Sequence, residues 1–306
     1  MKKQSIFKAS FEESLNLLDD KVSSKLAQDY YQEALKKEKY RGTFKSNVWL
    51  VILTILFIIG PNWLIVAVND YLFYHANSKD LTVPLPNINF LPYGVFWVGL
   101  AIWILLIILG KRFNQQFILI YRGQFHFMVS FIIWLFVELN LLSLNLVCAI
   151  TGFWGVFTFV GLMLVMILSM IFSKCQSLEK LLYRENIKYS FNDKLFSRVF
   201  AIISKYSGLV IAIWLVVRIF LPSSMENRNT LATGLGILFS ILILNVITIA
   251  FEIYFIFPYM LQGYYKWKYP EEYRDWEGKT VEEWYGKNIK KTQGVICENE
   301  MQDIEK

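Results

Sequence analysis

The chain has 306 residues, 55% of them hydrophobic, 17% aromatic and only 18% charged, with a mean hydropathy of +0.39. A soluble chain of this length carries about a quarter charged residues and keeps one wet face on each helix, so the composition excludes water as the main solvent. The formal net charge of +6 is spread through the connecting segments instead of being gathered on one stripe, which argues against nucleic acid as a partner and for membrane orientation.

In chain order, the first segment (1–45) opens with Met1, Lys2 and Lys3, but no apolar stretch follows, so it does not read as a secretory signal. Phe7, Phe11, Leu15, Leu18, Val22 and Leu26 recur at three- and four-residue intervals, the spacing of one face of an amphipathic helix. The opposite face mixes Glu12, Glu13, Asp19 and Asp20 with Lys21 and Lys25. That mixture suits docking on a protein surface, the chain's own or a partner's, better than lying among anionic headgroups.

Six apolar stretches follow, each long enough for a hydrocarbon layer of about 30 Å. Residues 46–69 form the first, with a kink expected at Pro61 and Asn62 placed to satisfy freed backbone groups. Residues 90–110 form the second. Between Arg122 and Lys174 the only charged residue is Glu138, and this run is too long for one crossing. The polar group Asn140, Ser143 and Asn145 is the expected turn of a hairpin, giving spans 125–141 and 147–172. Residues 199–221 are the fifth span if Lys205 and Arg218 snorkel to opposite interfaces, and 231–257 the sixth, ending at Pro258. The fold class expected is all-α, a polytopic transmembrane helical bundle of about six spans preceded by an N-terminal amphipathic cytoplasmic helix.

Placing both termini on one side gathers Arg41, Lys45, Lys111, Arg112, Arg122, Lys174, Lys180, Arg184 and Lys266 there, and leaves the opposite loops with only Lys79 and Arg228. Juxtamembrane Lys and Arg are retained inside, so both termini are expected in the cytoplasm of a multi-pass plasma-membrane protein of bacterial style. The tail (259–306) interleaves Tyr259, Tyr264, Tyr265, Trp267 and Tyr269 with Lys266 and Lys268, a composition suited to the headgroup zone. Thr280 and Glu283 have the capping-box spacing of a short helix with Trp284 and Tyr285 packing inward. Leu178, Leu181 and Leu182 have the spacing of a helix that extends the fourth span.

A catalytic set is not found. His75 and His126 lack a second ligand at metal spacing, no glycine-rich phosphate loop is present, and Glu271, Glu272 and Arg274 lie in the polar tail, so neither enzyme chemistry nor a cofactor or metal is expected. The residues left for function are the polar groups at membrane depth: Glu138, Asn245, Glu252 and Arg218. Asn245 and Glu252 are seven apart, on one helical face, and Glu138 comes near the depth of Asn245 only if its helix runs past Asn140. With a turn at Asn140, Glu138 lies at the outer interface and needs no partner.

Six spans, both ends inside and an amphipathic lead helix resemble the general plan of the membrane permeases of ATP-binding-cassette exporters. The resemblance implies a transport or export subunit whose ATPase is a separate chain, docked at the connection from Lys111 to Gly123. The other reading is a non-transporting interaction protein, such as an immunity factor, chaperone or assembly partner of another membrane protein. The lipid bilayer is a partner under either.

Overall fold

The computed structural model describes residues 5–20, 24–31, 44–76, 88–184 and 230–286, and every regular element among them is helical. Helix α1 (Phe11–Leu15) passes into a 3₁₀ turn (Asn16–Asp19), and α2 covers 24–31. The long helices are α3 (Phe44–Tyr74), α4 (Tyr93–Gly110), the 67-residue Gln116–Leu182, and α7, which begins at Thr230 and runs to Lys268. Two short helices close the described chain, α8 (Pro270–Trp276) and α9 (Val281–Tyr285). Among the described residues, four helices are long and apolar enough to cross a membrane.

These helices turn large apolar side chains outward. Leu50, Leu56 and Phe57 on α3, Trp97 and Val98 on α4, and Trp154, Phe157 and Val165 further along are all more than half exposed. Facing water, such faces would drive aggregation; they are consistent with lipid contact.

Gln116–Leu182 is a hairpin. Asn140 and Met163 both meet Asn245, and Phe117, Ile118, Leu178 and Leu182 share one core at the other end. The reversal falls at Gly152, whose φ of 71° and ψ of −170° break the helix into α5 (116–151) and α6 (153–182). This corrects the turn expected at Asn140, Ser143 and Asn145, through which the helix runs unbroken. The reason is local hydrogen bonding: Asn140 Nδ2 donates to Phe136 O at 2.8 Å and Ser143 Oγ to Leu139 O at 2.6 Å, so these polar groups are satisfied by the helix itself. The backbone values at the reversal belong to a region that only glycine enters at low cost.

Pro61 is accommodated by a π turn over Ile55–Ile59, with the Gly60 N–H reaching back to Ile55 O and Asn62 Nδ2 donating to Ile58 O at 2.7 Å. Two more π segments, Phe125–Phe131 in α5 and Glu252–Ile256 in α7, also lie within apolar helices. The fifth expected span, 199–221 with Arg218, lies outside the described residues, as do Val22 and everything after Gly286.

The N-terminal segment differs from one continuous amphipathic helix. Ser10 caps α1 through a reciprocal capping box with Glu13, the 3₁₀ turn ends at Asp19, Asp20 is outside any helix, and residues 24–31 are again helical. The break changes which residues face inward. Leu17 and Ala9 are buried, whereas Leu18 is half-buried and Phe7 is 45% exposed.

Candidate functional site

Two polar regions stand out, one inside the apolar bundle and one at the end where both described termini meet. Within the bundle, Asn140 and Asn245 form a reciprocal amide pair: each Nδ2 donates to the other's Oδ1, at 3.1 and 2.7 Å. Asn245 Nδ2 also lies 3.6 Å from Met163 Sδ, which ties α5, α6 and α7 together at one level. Nearer the Gly152 turn, Asn145 Nδ2 donates to Asn69 Oδ1 at 2.7 Å, and Asn69 Nδ2 donates to Asn89 Oδ1 and Leu91 O. Asn145 Oδ1 accepts from the Phe90 N–H, so the entry to α4 is held against α3 and α5 by side-chain amides.

Glu138 is fully buried. Its Oε1 accepts a 2.7 Å hydrogen bond from Trp134 Nε1, one turn back on the same helix, and its Oε2 has no hydrogen-bond partner among the described residues. The indole is set by Phe96 and Trp103 of α4, at ring distances of 5.8 and 6.4 Å, and by Gly99, where a methyl group would come within 2.2 Å of Trp134 Nε1. Because the turn is at Gly152, Glu138 lies about 20 Å along α5 from it at ~1.5 Å per residue, well inside the bundle. Glu252 opens the π segment of α7, and its Oε1 likewise has no partner among the described residues. Of the four groups expected at membrane depth, the structure therefore pairs Asn245 with Asn140, leaves Glu138 and Glu252 each with an oxygen that has no partner among the described residues, and does not describe Arg218.

At the other end, the terminal segments and the ends of α5, α6 and α7 build an aromatic collar. Its core includes Leu17, Phe117, Tyr121, Leu182, Tyr259, Tyr265, Tyr273 and Trp284. Tyr265 Oη donates to Ile6 O at 2.6 Å and accepts from the Ala9 N–H at 3.1 Å, while Tyr269 Oη donates to Ala9 O at 2.8 Å. Phe11 packs edge-on against Tyr269 and Tyr273, Ser14 Oγ bonds Tyr273 Oη, and Asn16 Nδ2 donates to Leu182 O at 2.7 Å. Lys174 pairs with Asp20 at 3.2 Å. The stripe Phe11, Leu15 and Leu26 thus docks on the chain's own tail, and the tail tyrosines, expected among headgroups, form a protein core instead, since Tyr259 and Tyr265 are fully buried. Trp267, 48% exposed, keeps a ring at the surface.

Thr280 caps α9 in a capping box with Glu283, and Trp284 stacks on Phe117 at 4.7 Å. Beside it Glu277 takes both Lys266 and Lys279, at the edge of a cavity of about 350 Å³. Burial pushes the Glu277 carboxyl up, but the two ammonium groups outweigh this and hold it below the usual carboxylate range. Among the described residues no three His, Cys, Asp or Glu side chains gather as metal ligands would.

The class that this fold and these polar layers define is an all-α protein of membrane character, with long apolar helices suited to lipid contact and a folded collar at one end. Compared with protein families, with curated proteins and with solved structures, the chain matches none.

Proposed function

We propose that the chain is a multi-pass membrane protein with six spans and both termini in the cytoplasm, acting as the permease-like membrane subunit of a transport or export system whose ATPase is a separate subunit. The observation that carries this reading is Glu138, a fully buried carboxyl with one oxygen unpartnered among the described residues, inside an apolar bundle. An ionisable group at such depth costs about 3 kcal/mol even on the mildest scale, and its cost is offset where it serves a substrate or ion pathway. Glu252, also with an unpartnered oxygen, is its candidate partner in that pathway.

The six-span count is supported by connectivity. Leu182 ends α6 in the collar, whereas α7 enters the collar only with its last turns, so its start at Thr230 is at the opposite end of the bundle. One crossing between them, over 199–221, satisfies both. The collar then lies on the side that holds the basic residues, and it is the surface on which an ATPase subunit docks.

Affinity purification in mild detergent tests the reading. The expected result is co-recovery of an ATPase subunit whose turnover in liposomes falls at least several-fold with Glu138→Gln or Glu252→Gln, while membrane insertion and elution stay those of the parent. A specific observation favours the second reading, a non-transporting interaction protein. The amides Asn145 and Asn69, and Asn140 and Asn245, hydrogen-bond one another, as in a purely structural core. Recovery of a stoichiometric partner without ATPase activity, with both Gln variants behaving as the parent, decides for that reading.

A further inference from the structure

Where α4 ends and the last turns of α7 begin the collar, an elongated groove of about 450 Å³ runs along the bundle surface. Its walls are apolar and open to the same surroundings as the exposed helix faces: Leu109, Phe113 and Trp267 are 44%, 41% and 48% exposed. Two glycines shape it. A methyl group at Gly263 would lie 2.5 Å from the Tyr121 ring and one at Gly110 would lie 2.5 Å from His126 Nε2, so α4 and α7 approach α5 closely and leave the hollow between them.

Arg122 lines the groove, its guanidinium fixed by Phe113 O at 3.1 Å and Gly110 O at 3.4 Å. Lys111 and Arg112 do not line it but are exposed and stand in the chain between Gly110 and Phe113, both of which do. Among the described residues no carboxylate lines the groove. In its wall His126 Nδ1 is shut off from solvent with no hydrogen-bond partner among the described residues.

We propose that this groove binds one anionic glycerophospholipid, an acyl chain lying along Leu109, Phe113 and Trp267, and the phosphate held by Lys111, Arg112 and Arg122. The charge complementarity selects the headgroup: Arg122 in the lining and exposed Lys111 and Arg112 beside it, with no carboxylate lining the groove among the described residues, disfavour a zwitterion, and the apolar walls continue the lipid-facing belt, which a free anion would not need. The inference rests on the helices lying in lipid and is independent of the transport reading.

The test is native mass spectrometry of the full chain in neutral detergent, titrated with phosphatidylglycerol or with phosphatidylcholine of the same acyl chains. The expected result is retention of one phosphatidylglycerol with a preference on the order of tenfold, which Lys111→Gln with Arg112→Gln reduces to about twofold or less. Leu109→Trp, which fills the groove without touching the charges, is expected to lower retention several-fold. Thermal unfolding without added lipid verifies that these variants fold, and the single substitutions Lys111→Gln and Arg112→Gln replace the double if it does not. Equal retention of the two lipids, a preference unchanged in the charge variants, unchanged retention in Leu109→Trp, or displacement of the lipid by millimolar inorganic phosphate would each overturn the proposal.

Discussion

Asn140 and Asn245 illustrate how much a single side chain decides in this molecule. Either amide left alone is a polar group in an apolar layer, whereas the two together satisfy each other. Asn245→Leu is expected to cost about 1 kcal/mol, and the double variant with Asn140→Leu less than the sum of the two singles, giving a coupling of ~0.5–2 kcal/mol by a double-mutant cycle read from thermal unfolding in detergent. Asn245, Glu138 and Glu252 were legible in the sequence because a polar residue interrupting an apolar run is conspicuous there. The partner of Asn245 was not: nothing in the spacing of residues 140 and 245 announces that they meet, since that depends on how α5 and α7 are rotated against each other. Trp134 stands four residues before Glu138 on one helix, a spacing at which two side chains can meet, but the sequence does not say that the indole takes the carboxyl.

The elements divide by the kind of signal that specifies them. The apolar stretches at Phe44–Tyr74 and Tyr93–Gly110 follow from the absence of charge over about twenty residues, a signal that needs no tertiary information. The hairpin turn did not follow, because a cluster of Asn and Ser is a turn signal in water but inside an apolar bundle reads equally as glue between helices. Gly152 carries no such compositional flag; its role lies in a φ of 71° paired with an extended ψ. Gly152→Ala is therefore expected to destabilise by ~1–3 kcal/mol. Gly161→Ala, in helical backbone with open space where its methyl would go, is expected to be neutral or to stabilise by about 0.5–1 kcal/mol. Melting temperatures of the two variants in the same detergent separate these outcomes. The N-terminal stripe was read as one helix for a related reason: the periodicity of Phe7 to Leu26 is real, yet the Ser10 cap and the 3₁₀ turn over Asn16–Asp19 divide it.

For the molecule as a whole, the collar has a stability that responds to pH. Glu277 is held below the ordinary carboxylate range by Lys266 and Lys279 against the opposing effect of burial. A carboxyl with a depressed folded pKa contributes stability that is complete above its unfolded value, about 4.3, and is lost as pH falls through the folded value. The collar is thus expected to loosen below about pH 4 before the apolar helices do, observed as a change in Trp284 fluorescence while far-ultraviolet circular dichroism keeps most of its helical signal. Glu277→Gln is expected to weaken the collar at neutral pH by about 3 kcal/mol, since it leaves the mostly covered Lys266 without its countercharge, and to flatten the acid transition.

The hydrogen bond from the Ala9 N–H to Tyr265 Oη spans 256 positions of the chain. At about 5–20 residues per second, a ribosome takes roughly 10–50 s to travel between them. During that interval Leu17, Phe11 and their neighbours have no tyrosine wall to meet, so this segment is an adhesive surface awaiting helices about 250 residues further along the chain. Copies whose translation stops before Tyr259 lack that cover and keep Phe11 and Leu17 without the tyrosines they pack on.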